Sequence, residues 1–222
     1  MINDFENSLI ENIDNQNDKE KEIISFLLSN GISAEKSKMI TEKLYYKFYN
    51  LYNIVNASKN ELIKIKGLGN KRAELLKSLP KILEYYLLSR LKLSTLHFNK
   101  KDLIDYLIIK FGKLKFEAFS IICLDINKRF ISIEQIFRGT IDSATIYPND
   151  LVEKSLSLGA SYVIISHNHP SGISKPSKED IEITKILYKA FLIVNIKMID
   201  HLIIAGDSIY SFRESGILDD LN

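Results

Sequence analysis

His167 and His169 stand one residue apart, and Ser177 and Asp180 follow eight and eleven positions beyond the second of them. Two imidazoles and a carboxylate are donors that a divalent metal takes, and three protein ligands leave the fourth tetrahedral position to water, the catalytic rather than the structural pattern. Neutral imidazoles with one carboxylate favour zinc, although iron, manganese and nickel also accept such a set. The expectation is one Zn2+ ion held by His167, His169 and Asp180, with water as its fourth ligand.

Elements must bring those groups together. Residues 161–166, Ser-Tyr-Val-Ile-Ile-Ser, are short, apolar and β-branched, as in a buried strand. At a two-residue period both imidazoles leave the end of that strand on one side. Pro170, Ser171 and Gly172 turn the chain. Residues 176–180 then have the form of a helix start, with Ser177 as N-cap and Asp180 at the third helical position. Such a start can carry the carboxylate back over the imidazoles. The plainer reading is a simple capping box beside an incidental His-x-His pair. The coincidence of strand end, tight turn and acidic helix start favours the metal site.

The 222 residues are 45% hydrophobic and 26% charged, a globular profile that excludes a disordered chain. The length suits a mid-sized domain with a smaller one. No apolar run approaches the roughly 18 residues of a membrane span, and the acidic start at residues 1–6 has no secretory character. The single cysteine, Cys123, lies in an apolar stretch and reads as core, with no disulfide available within the chain. A cytoplasmic protein without a membrane partner is expected. Charge is uneven: residues 1–22 carry a net −5, whereas residues 31–92 hold thirteen basic and five acidic residues, a net +8. A basic segment of that kind points to a partner.

Residues 1–17 are polar and read as a mobile tail. Residues 18–90 have helical periodicity, residues 91–98 read as a linker, and residues 97–222 form a second domain in which helices interrupt strands. Pro80 should bend or restart the last helix of the first domain. In the second domain the pattern predicts helices over residues 99–111, 147–158 and 177–191. Strands are expected over 116–124, 129–137, 161–166, 198–205 and 208–212. His201, between apolar strand residues, reads as a core histidine, and His97 falls in the linker.

Within the basic segment, Gly67-Leu68-Gly69 separates two short helical stretches, with Lys64 and Lys66 before it and Lys71 and Arg72 after it. A tight Gly-x-Gly hairpin exposes backbone N–H groups at the start of the next helix, where they and the helix dipole favour a phosphate. This resembles the helix-hairpin-helix module, which grips the DNA backbone without reading bases; an ordinary αα-corner is the plainer alternative. Tyr45, Tyr46, Tyr49 and Tyr52 could stack on bases, but their helical spacing reads mostly as packing.

His167-x-His169, seven residues and Ser177-x-x-Asp180 together match the JAMM (MPN-plus) metalloprotease motif. The string His-Asn-His-Pro-Ser-Gly at 167–172, with Lys175-Pro176-Ser177 and Asp180 downstream, resembles the bacterial RadC family. So do Phe137-Arg138-Gly139-Thr140, Tyr147-Pro148, Asp200-His201-Leu202-Ile203-Ile204 and Gly206-Asp207, in the family's order across about residues 97–217. The family usually has Arg-Glu after the proline at 148; Asn149-Asp150 stands here and removes any contact that arginine would make.

The resemblance implies an α+β fold: a small all-helical helix-hairpin-helix domain, then a JAMM/MPN-type α/β/α metallohydrolase domain of cytidine-deaminase-like topology. It implies that His167, His169 and Asp180 ligate zinc and that Ser177 helps hold the oxyanion of a tetrahedral intermediate. It further implies a general-base glutamate from an earlier strand, Glu117 in preference to Glu134. The leading expectation is a zinc-dependent hydrolase of a peptide or isopeptide bond, with a protein or peptide substrate. A DNA-associated accessory factor, in the DNA-repair setting the family's name suggests, is the second; a metal-dependent nuclease is the third, since phosphodiester cleavage usually uses two metals.

Overall fold

The computed structural model describes residues 17–93, 99–139 and 146–219. The expected tail through residue 16, His97 and Thr140 lie outside them. The chain divides into two compact units, Met1–Ile82 and Leu83–Asn222.

The first unit is helical. Helix α1 covers residues 17–28, followed by α2 (Ala34–Phe48), α3 (Leu51–Asn56), α4 (Lys59–Ile63) and the start of α5 (Gly69–Leu93). Ser33 caps α2, Asn50 caps α3, and Ser58 caps α4 in a capping box with Glu61, so each short helix has its first N–H groups satisfied. Ile24, Leu28, Ile40, Leu44, Ile54, Leu62 and Leu68 form the core. The tyrosines depart from the packing expectation. Tyr45 is buried in that core, but Tyr46 and Tyr49 are 89% and 78% exposed, because they fall outside the stripe that α2 buries through Ile40, Thr41 and Leu44.

Helix α5 continues through Pro80 to Leu93, without the restart that is one of the two expectations, a bend or a restart, at that proline. It also occupies the first three residues of the expected linker, because Leu87 and Leu91, one turn apart, are buried in the core of the second unit. Arg90 reinforces this end by pairing with Asp102 at 3.2 Å.

The second unit is a five-stranded sheet in the order β2-β1-β3-β4-β5. Its strands are β1 (Glu117–Leu124), β2 (Phe130–Gly139), β3 (Tyr162–Asn168), β4 (Lys197–Ala205) and β5 (Ser208–Ser211). β1 is antiparallel to β2 and β3, β3 is parallel to β4, and β5 is antiparallel to β4. Side-chain alternation sorts the strands between two layers. Phe119, Ile121, Cys123, Val163 and Ile165 face α7 (Pro148–Ser157) and α8 (Lys178–Ile193), which contribute Leu151, Ile183, Leu187 and Phe191. Ala118, Ile122, Leu124 and Ile164 face α6 (Lys100–Phe111) and the end of α5. Helices thus cover both faces, and the fold is mixed α+β in three layers. Cys123 is core, and burial pushes its thiol up to about 11.

The topology sets up one edge of the sheet. Because β1 runs antiparallel to β3, the beginning of β1 lies beside the end of β3, and Phe119 pairs with His167. Helix α8 makes the crossover between parallel β3 and β4, so it starts from that same edge. No helix among the described residues is long and apolar enough to cross a membrane.

Candidate metal centre

His167, His169 and Asp180 meet at this edge, with one donor atom from each within 4.8 Å of the others. His167 Nε2 lies 3.0 Å from His169 Nε2 and 3.0 Å from Asp180 Oδ1, and His169 Nε2 lies 3.3 Å from Asp180 Oδ2. A tetrahedral ion with bonds of about 2.0–2.1 Å has ligand-to-ligand edges of about 3.3–3.4 Å, so this triangle is close to the required size. His167 and Asp180 are buried, whereas His169 is partly exposed and marks the open side.

Asp180 reaches the imidazoles because α8 begins with a capping box. Ser177 Oγ accepts from the Asp180 N–H at 3.0 Å, and Asp180 Oδ2 accepts from both the Ser177 N–H and its hydroxyl at 2.7 Å. The capping box and the cluster therefore coexist: one carboxylate closes the helix end and faces the histidines. Gly172, at φ 78°, lets the 169–173 turn close, and this brings the Ile173 carbonyl to 2.7 Å from His169 Nδ1.

These partners decide the tautomers. A carbonyl only accepts, so His169 carries its proton on Nδ1 and presents Nε2 as a lone pair. For His167 the order runs back from α8. Thr184 Oγ1 donates to the Asp180 carbonyl and accepts from His201 Nδ1–H at 2.7 Å. His201 is fully buried, and burial pushes its pKa well down, so it is neutral with Nε2 free to accept. His167 Nδ1–H donates there at 2.8 Å, and His167 Nε2 is left as the second lone pair. Two imidazole lone pairs and a carboxylate then converge at about hydrogen-bond distance, which is repulsive unless a cation lies between them.

A proton or a metal ion can serve as that cation. A hydrogen bond that protonated His169 donates to Asp180 raises the pKa of His169 despite its partial burial. Burial pushes the Asp180 carboxyl up, but its bonds to His167 and His169 outweigh this and hold it well below the usual carboxylate range. Outer hydrogen bonds that fix ring tautomers are characteristic of metal-binding histidines. Stacking holds the rings in place: Phe119 lies parallel to His167 at 5.9 Å, and Phe212 parallel to His201 at 4.7 Å. The donor set, its spacing and its outer partners are compatible with a metal site.

Glu117 opens β1 two residues before Phe119, on the face that carries His167. It lies close enough for its charge to raise the pKa of His169. Glu134 pairs instead with Lys154 of α7 at 3.5 Å. A residue with no assigned role in the sequence reading positions Glu117. Asn168, buried between the two histidines, accepts from the Ala118 N–H at 2.8 Å and donates to the Phe116 carbonyl at 3.0 Å, gripping the backbone on both sides of Glu117. Asn168→Ala is expected to lower the unfolding free energy by about 2–4 kcal/mol, since it strands both groups. Denaturant titration checks this, and a loss below about 1 kcal/mol would remove the role.

In the first unit, Gly67 and Gly69 have φ values of 98° and 69° and turn the chain between α4 and α5, a conformation suited to glycine. Lys64, Lys66 and Lys71 are exposed around this turn. Arg72 has an internal role instead: its guanidinium donates to the Leu28 carbonyl at 2.8 Å and the Asn30 carbonyl at 2.7 Å, tying off the end of α1.

A three-layer fold with two histidines and an aspartate at the start of a crossover helix defines a JAB/MPN-type domain, a class whose members are usually metallohydrolases. Residues 98–217 match the family described as the RadC-like JAB domain, and the chain belongs to the RadC family. Among its relatives, a UPF0758 protein of Methylibium petroleiphilum is 34% identical over 198 residues, covering 89% of each chain. One of Pseudoalteromonas translucida is 33% identical over 197 residues, covering 89% of this chain and 88% of its own. One of Variovorax paradoxus is 32% identical over 199 residues, with the same coverage. Family and site together are consistent with a JAMM-type metal-dependent hydrolase.

Proposed function

We propose that the chain is a zinc-dependent hydrolase of an amide bond, peptide or isopeptide, working in a DNA-processing setting. The observation that carries this reading is the convergence of two imidazole lone pairs and one carboxylate, with tautomers fixed from behind, beside a glutamate on the same sheet face. A zinc ion held by His167, His169 and Asp180 would supply Lewis acidity and lower the pKa of a water to roughly 7. Glu117 takes the proton from the attacking water and delivers it to the leaving amine. Ser177 Oγ–H, which donates to Asp180 Oδ2 in this structure, turns to the substrate oxyanion as charge develops there. The partly exposed His169 side is where substrate enters.

The test is hydrolysis by zinc-loaded protein of a panel of peptides and isopeptide-linked conjugates, run beside His167→Ala and a plasmid control. Amide cleavage by the wild type alone is expected. Equal cleavage by both proteins ends the proposal, and cutting of the plasmid in place of the amides moves the chemistry to phosphodiesters. A second reading concerns the first unit: the Gly67–Gly69 turn, with Lys64, Lys66 and Lys71 exposed around it, supports a grip on duplex DNA that would deliver the hydrolase to its target.

A further inference from the structure

Tyr46 and Tyr49 project into solvent at the end of α2, where they border a groove of about 870 Å³ between that helix and the segment joining α4 to α5. Lys43, Lys47, Lys64 and Lys66 line the same groove. Its acidic lining residue, Glu42, is already paired with Lys21 at 3.2 Å. The groove therefore offers positive charge together with two open aromatic faces.

Tyr49 adds an argument from strain. It sits just beyond α2 at φ 72°, its N–H donating to the Tyr45 carbonyl at 2.8 Å. Glycine or asparagine is usual at such a helix end, and a bulky residue at positive φ is rare. This ring buries almost nothing in return. An aromatic ring placed where the backbone costs stability and little packing offsets it points to contact with something else.

We propose that this groove binds single-stranded DNA, with Tyr46 and Tyr49 stacking on bases and the four lysines following the phosphates. A free phosphate or an acidic peptide would use the lysines and leave the rings idle. A duplex hides its base faces within its own stack, whereas a single strand offers both base faces and phosphates. Among the described residues the lining's side-chain acceptors are the tyrosine hydroxyls and Glu42, which already pairs with Lys21, so its side chains offer little to a ribose 2′-hydroxyl. The site is separate from the hydrolase reading; it shares Lys64 and Lys66 with the surface around the glycine turn and differs from it in strand state and in its use of the two tyrosines.

The full chain is titrated into labelled oligothymidylate, a duplex of equal length, oligouridylate and an abasic deoxyribose-phosphate strand, with binding followed by fluorescence anisotropy. Oligothymidylate is expected to bind more tightly than the other three, with affinity falling as salt rises. Tyr46→Ala with Tyr49→Ala should weaken it by about tenfold per ring, while Tyr46→Phe with Tyr49→Phe keeps the wild-type affinity. Tyr49→Gly should bind less tightly at an unchanged or higher melting temperature. Equal affinity of the double alanine variant and the wild type overturns the proposal. So does equal binding of abasic strand and oligothymidylate, and tighter binding of oligouridylate transfers the site to RNA and overturns the DNA assignment. Lys71→Ala should weaken only the duplex, reporting on the glycine turn, and His167→Ala should leave every affinity unchanged, so loss of the hydrolase reading would not touch this result.

Discussion

Asp180→Asn is expected to abolish stoichiometric metal binding while leaving a folded chain. Asparagine keeps a side-chain oxygen able to accept the Ser177 N–H, so the start of α8 remains capped. It removes the only negative charge from a triangle whose other corners are neutral lone pairs. Loss of an outer partner alone costs about 10–100-fold in metal affinity, and loss of a ligand should exceed that. In the metal-free chain the variant also forfeits the charge-assisted hydrogen bond that a proton shared with the imidazoles makes to this carboxylate, about 1.5–3 kcal/mol of stability at neutral pH. The sign follows from the depressed carboxyl: its contribution is present above the unfolded carboxylate range and is lost as pH falls through the lower folded value. Metal analysis of purified protein and a zinc-induced thermal shift provide the check. At zinc concentrations near 100 times Kd the wild type gains about 2.7 kcal/mol, and the variant should gain nothing. A full equivalent of metal retained by Asp180→Asn would sink the assignment of this carboxylate.

Much of the site was legible because local rules set it. The two-residue period of a strand places His167 and His169 together, and the Ser177–Asp180 spacing predicts both a helix start and the return of the carboxylate. What lay out of reach depends on the direction of hydrogen bonds between distant segments. Thr184 follows Asp180 by one helical turn, but its bond to His201 requires β4 to lie against β3 in the observed register. Asn168 shows the same limit, since its partners Ala118 and Phe116 are fifty and fifty-two residues away. Arg72 reads as a phosphate ligand from charge alone, and composition does not report that its guanidinium also donates to the Leu28 and Asn30 carbonyls at the end of α1. Tyr46 and Tyr49 erred the other way, helical spacing being the same on a buried stripe and an exposed one. Helix α5 covers the first three residues of the expected linker, and Leu91 among them is buried.

Glu117→Gln should leave metal binding intact and lower amide hydrolysis by about 10²–10⁴-fold, the usual contribution of a positioned general base. Glutamine has nearly the same shape and keeps an oxygen acceptor, but it cannot take a proton near neutral pH. A loss confined to kcat, with metal content unchanged, would therefore separate proton transfer from ligation. Glu134→Gln is the matched control. Its carboxylate belongs to an ion pair with Lys154, and its strand partner Ile121 is one pleat repeat further from the site edge than Phe119, which pairs with His167. Only the Glu117 variant should lose the reaction's proton acceptor, so the rate should collapse in it and persist in Glu134→Gln. Asn168 gives a third comparison, since it touches the backbone on either side of Glu117 and not the carboxylate itself. Asn168→Ala should reduce the rate by less than Glu117→Gln does, because the displaced base keeps its carboxylate. If Glu117→Gln hydrolyses as fast as the wild type, the proton is carried by another group and the base must be sought elsewhere on the open His169 side.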